Sequence, residues 1–274
     1  MENRRTLPGL GIYVYAVGAI VLGVSGLVWG DFATDWQRVT PGVPFREALA
    51  YITAVYELSA GLALVWPRTA RIGAAMLGIL FLICALLWVP KIVEVPLVWD
   101  SWGNFFEESS MMIAGVVLWA WMAPADSEWV GKTEQISRLY GICVISFGLV
   151  HFIYLQGAAG FVPKWIPPGG MFWAVTTGIC FFAAAAAILS GIMAGIASQL
   201  LVAMIAGFEL LVWMPRFVAS PHVHFEWAGN AVNMAMLGAA WVVSDAINRG
   251  MGREVASVKA KAALRGEAEK PAVI

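Results

Sequence analysis

Charge is what this sequence has least of. Only 13 % of its 274 residues are Asp, Glu, Lys or Arg, against about 25 % in an average soluble domain. So few charges cannot coat a soluble core of this size. With 60 % hydrophobic residues and a mean hydropathy of +0.76, lipid has to take the place of the polar coat. A formal net charge of −1 lacks the basic field that nucleic-acid binding requires. Cysteine is also scarce: Cys84, Cys143 and Cys180 all lie in apolar runs and none forms a CxxC. Inert buried thiols are expected there rather than a catalytic dithiol. Of the three histidines, only His151 sits well inside an apolar run, which leaves no histidine pair for haem. GxGxxG, Walker and HExxH motifs are missing, and no nucleotide cofactor is expected.

Tryptophan, by contrast, is abundant at fourteen, and it gathers where membrane helices meet the headgroups. Roughly 20 mostly apolar residues span a bilayer. Eight runs qualify, at about 9–29, 48–66, 70–89, 109–124, 138–156, 171–189, 193–214 and 229–245; the fourth is the shortest. The first is too long for a signal peptide and reads as a span. The expected fold is therefore all-α: a polytopic membrane protein with eight transmembrane helices. Arg4, Arg5, Arg68, Arg71, Lys132, Arg138 and the basic tail fall on one side, and Arg38, Arg46, Lys91, Lys164 and Arg216 on the other. The positive-inside rule then places both termini in the cytoplasm of a bacterial inner membrane. Residues 247–274 form a charged tail, expected to be a solvated end or a short surface helix.

Two stretches match each other. LLWVPKIVEVPLVWDSWGN at 86–104 aligns with LLVWMPRFVASPHVHFEWAGN at 210–230. Trp88, Pro90, Lys91 and Pro96 fall on Trp213, Pro215, Arg216 and Pro221 at a constant offset of 125. The chain thus reads as two four-helix units in tandem, 1–130 and 131–246, forming two parallel four-helix bundles. Pro90 and Pro215 are expected to end their helices, and Asn104 and Asn230 to cap the next ones.

Polar groups inside lipid are costly and mark function or specific pairing. Glu57, Gln199 and Asn233 lie within apolar runs. Glu57 is expected either to be neutral and hydrogen-bonded across the bundle or to serve a proton or substrate path. SPHVHFEWAGN at 220–230 holds His222, His224 and Glu226. Two histidines and a carboxylate can ligate iron or zinc, and a spacing of two places both histidines on one side of an extended strand. Interface histidines bonded to backbone or water, or in contact with a quinone or headgroup, are the other readings. For a quinone, His151 is the candidate hydrogen-bond donor and Glu209 the candidate proton relay. Trp165 and Arg216 are candidate contacts at the same end.

The second half resembles the DoxX family of small four-helix membrane proteins. The resemblance rests on His151-Phe152, Val162-Pro163-Lys164-Trp165-Ile166-Pro167, Phe172-Trp173, Thr177-Gly178 and LVWMPRFV at 211–218. It covers about 137–246. The first half fits only as a diverged copy, with Trp29 in place of the histidine and ATDWQRV at 33–39 in place of VPKWIP. Some members are linked to quinone-dependent thiosulfate oxidation or to membrane oxidoreductase complexes. The resemblance implies an accessory or quinone-associated subunit, in contact with lipids and with other membrane or periplasmic subunits. A small-molecule or lipid transporter, a stand-alone metal- or quinone-dependent enzyme, and a scaffold without chemistry are the alternatives.

Overall fold

The computed structural model describes residues 9–33, 35–124 and 126–268. Long apolar helices joined by short loops account for nearly all of them. In chain order they are α1 (Gly11–Trp29), α2 (Arg46–Val65), α3 (Ala70–Glu94), α4 (Trp99–Trp121), α5 (Glu128–Ile153), the short α6 (Leu155–Phe161), α7 (Gly170–Ser190) and α8 (Ala194–Phe208). A π-helical segment, Glu209–Trp213, continues α8 into α9 (Met214–Ala219), and α10 runs from His224 to Ala268.

The expectation of eight crossings in two four-helix bundles is not met. Among the described residues, six helices are long and apolar enough to cross a membrane: α1, α2, α3, α5, α7 and the continuous α8–α9. They turn large apolar side chains outward, such as Ile52, Leu62, Ile79, Ile179 and Leu200, as lipid contact requires. Two of the eight expected spans fall short, in α4 and α10, and both for one physical reason. These helices are enclosed by other helices, so they need no apolar surface all round. The α4 helix buries Ser101, Glu108, Ser109 and Ser110, and α10 buries Glu226, Asn230, Asn233 and Ser244.

Nor do the halves stand apart. Neighbouring helices close into one circuit in which α1 packs along α10, while α4 and α5 also touch α10 across the middle. The α1–α10 approach is close: a Cβ on Gly238 would lie 2.1 Å from the backbone nitrogen of Tyr15.

Several local expectations also change. Neither proline ends its helix. The α3 helix runs through Pro90 to Glu94, and Pro215 sits just past the π segment, where the Met214 N–H already donates to Glu209 O, five residues back. That wide turn absorbs the N–H that proline lacks. Asn104 and Asn230 lie inside α4 and α10 rather than capping them. The VHFE stretch is no strand: Val223 closes a turn and His224 opens α10. Its start is pinned by Trp227, whose indole N–H donates to Pro221 O at 2.7 Å. Trp102 to Pro96 O and Trp173 to Pro167 O repeat this bond at the starts of α4 and α7. Within the tail, helix α10 continues unbroken to Ala268.

Candidate functional site

Four helices, α5, α7, α8 and α10, enclose a cavity of about 180 Å³, which α4 and the segment between α1 and α2 complete. Trp36, Phe147, Phe181, Phe208 and Trp213 supply flat aromatic walls, and Glu107, His151 and Asn233 supply the polar atoms.

His151 stands in the last turn of α5, with its ring 5.1 Å from Phe181 and 6.1 Å from Phe208. Its Nδ1 lies 2.8 Å from Phe147 O. A carbonyl only accepts, so Nδ1 carries the hydrogen; in the neutral form of the ring Nε2 is then an acceptor.

Glu209 opens the π segment and is only 3 % exposed. Two amides on successive turns of α10 hold it: Asn230 Nδ2 donates at 2.8 Å and Asn233 Nδ2 at 2.7 Å. Asn233 therefore lines the cavity and grips Glu209 behind it. A π turn at such a place is common at functional sites, because the extra residue re-aims a side chain.

The third wall comes from far away in sequence. Between α1 and α2 the chain folds inward and buries Phe32, Ala33, Trp36 and Gln37. The Trp36 indole N–H donates to Glu107 Oε2 at 2.9 Å, and its carbonyl accepts from the Trp88 indole at 2.8 Å. Gln37, the next residue, donates to Glu57, which is 2 % exposed. Its own Oε1 accepts the Ala33 N–H at 3.1 Å.

Trp213 also packs against an ion pair that stands outside the cavity lining. Arg216 forms a fork on Glu226, Nε to Oε2 at 2.8 Å and a terminal nitrogen to Oε1 at 2.6 Å. The guanidinium lies 4.8 Å from the Phe161 ring and 5.8 Å from that of Trp213. Phe225 packs on Trp36 at 5.6 Å. Trp213 fits because Gly229 has no side chain; a Cβ there would come within 2.0 Å of the indole. A second cavity, of about 230 Å³, lies toward the other end near Trp121, Glu134 and Arg249. Its carboxylate is paired with Arg138 at 2.7 Å.

The structure thus places His151 and Asn233 on one cavity, with Glu209 held behind Asn233 and Arg216 beside Trp213. It does not gather the other candidates. Trp165 is 73 % exposed on the loop after α6. Gln199 is exposed on α8, and His222 is exposed in the turn before α10. His224 stacks flat on Trp29, centroids 4.9 Å apart at 5°. Burial lowers its pKa, and the nearby Asp31 and Asp35 work in the opposite sense. Glu226 gives both oxygens to Arg216, and among the described residues no three His, Cys, Asp or Glu side chains assemble for a metal. Sequence reasoning missed Trp36 and Glu107. The available signal was the pair Glu107-Glu108, which stands just ahead of the apolar run at 109–124.

Compared with models of known protein families, with curated proteins and with solved structures, the chain matches none. Fold and site together define a class: an all-α integral membrane protein with six candidate spans among the described residues and an aromatic-lined cavity between its helices carrying histidine, amide and carboxyl groups.

Proposed function

We propose that the protein is a quinone- or quinol-binding membrane subunit serving an oxidoreductase whose electron carriers lie in partner chains. One observation carries this reading. A cavity between helices combines flat aromatic walls with an imidazole acceptor and the carboxyl of Glu107. About 180 Å³ is less than the roughly 300–1,000 Å³ of drug-sized sites and suits a single substituted ring. Stacking on Phe208 or Trp213 holds such a ring, and the acceptor at His151 Nε2 suits the hydroxyl of a quinol better than the carbonyl of a quinone. The resemblance of 137–246 to the DoxX family points the same way.

The test is a titration of the protein in lipid nanodiscs with decylubiquinol and with decylubiquinone, followed by tryptophan quenching. Quinol is expected to bind more tightly than quinone. His151→Phe keeps the ring and removes the acceptor, so it is expected to weaken quinol binding about tenfold, the worth of one buried hydrogen bond. Equal binding of both forms to the wild-type protein and the variant would refute the reading.

A further inference from the structure

Beyond the cavity wall the interior holds more acid than packing needs. Glu107 and Glu108 are consecutive on α4, so their side chains leave the helix about 100° apart. Glu107 faces the cavity, while Glu108 is 1 % exposed and its Oε2 has no hydrogen-bond partner. Glu108 interacts electrostatically with both Glu107 and Glu57 of α2. Tyr15 of α1 and Cys84 of α3 interact electrostatically with the same carboxyl. The inward-folded segment ties the two outer members together: Trp36 bonds Glu107 and Gln37 bonds Glu57.

No ion pair among the described residues reaches any of the three; the pairs present are Arg46–Asp31, Lys91–Glu94, Lys132–Glu128, Arg138–Glu134 and Arg216–Glu226. No trio suited to a metal ion forms among those residues either. A buried carboxylate without a cation is costly, and adjacent ones titrate as a unit. The cheapest occupant for such a line is the proton.

We propose that Glu57, Glu108 and Glu107 form one proton-storing line that opens on the cavity at Glu107. Storage follows from the geometry of the three carboxyls; delivery to a ligand rests on the quinone reading. When a bound quinone takes two electrons from a partner's redox centre, Glu107 breaks its O–H bond as a ring oxygen forms one. Glu108 then refills Glu107, Glu57 refills Glu108, and a second passage of the same relay protonates the other ring oxygen, so the quinone gains two protons for its two electrons and the line gives up two. Oxidation of a quinol runs the same transfers backward.

Infrared spectroscopy of the whole protein in nanodiscs tests this. The resting protein is expected to show a carboxylic-acid C=O band that shifts in D₂O and moves again when the chain is labelled with ¹³C-glutamate. Glu108→Gln is expected to remove part of the band and shift the remainder, since the groups are coupled; Glu57→Gln is expected to do likewise. Adding decylubiquinone with a chemical reductant is expected to perturb the band in the wild-type protein and not in Glu108→Gln. A resting protein without a ¹³C-sensitive acid band overturns the proposal, as do two substitutions whose effects simply add. Should quinone fail to bind while the coupled band is present, storage stands and the cavity reading and delivery fall. The isotope arm decides even if a variant does not fold.

Discussion

The grip of Asn230 and Asn233 on Glu209 gives the sharpest perturbation of the site. Asn233→Ala removes a 2.7 Å donor from a carboxyl that is 3 % exposed. In water a hydrogen bond to a charged group is worth about 1.5–3 kcal/mol. Within membranes such bonds average only about 0.6 kcal/mol, with a maximum near 1.7, because the unfolded state in lipid also finds partners. The variant additionally leaves Glu209 Oε2 without its donor, which moves the expected cost to the upper part of that range, about 1–2 kcal/mol. For a chain of this size that is about 2–8 °C in Tm, measured by thermal unfolding in detergent micelles. Asn230→Ala is expected to behave alike. The triple variant Glu209→Leu, Asn230→Leu, Asn233→Leu is expected to recover most of the loss, because replacing all partners by apolar groups of similar shape is nearly neutral. Single variants that unfold within 1 °C of the parent would show that the amides do not hold Glu209.

Three further outcomes follow from the same geometry. Gly238→Leu is expected to prise α1 from α10 and to lower Tm by more than a Leu placed at exposed Gln199, both read by thermal unfolding. Arg216→Ala strands Glu226 behind a half-exposed pair, so its cost is expected to fall between the roughly 0.2–1 kcal/mol of a surface pair and the roughly 3–5 of a buried one; Arg216→Leu with Glu226→Leu is expected to recover most of it. His224 has its pKa lowered, chiefly by burial, so its contribution is complete above the unfolded value of about 6.5 and is lost as pH falls through the lower folded value. Between pH 7.5 and 5 the parent is expected to lose more Tm than His224→Phe does.

Much of the fold was readable in sequence because lipid contact demands apolar runs, and all six candidate spans coincide with such runs. The two misjudged helices show where that logic stops. The apolar run at 109–124 begins just after Glu107-Glu108, yet the helix begins at Trp99. Hydropathy reports what a helix offers to lipid, and α4 is enclosed by α3, α5 and α10. His151 and Glu209 stood out as ionisable groups in apolar surroundings. Their neighbours did not, because Trp36 reaches Glu107 across 71 residues of chain through a loop whose inward course no local pattern encodes. The HxH spacing misled for a similar reason: alternation suggested a strand, while the Trp227–Pro221 anchor starts a helix.

The reading stands or falls on whether a quinone ring lies between α5, α8 and α10. A photoreactive azido-quinone, irradiated with the protein in nanodiscs and mapped by peptide mass spectrometry, addresses this directly. Label is expected on Trp36, Phe208 or Trp213, and is expected to be displaced by decylubiquinol, with more quinol needed for displacement in His151→Phe. Label confined to outward-facing residues such as Ile179 and Leu200, unaffected by competitor, would contradict the account.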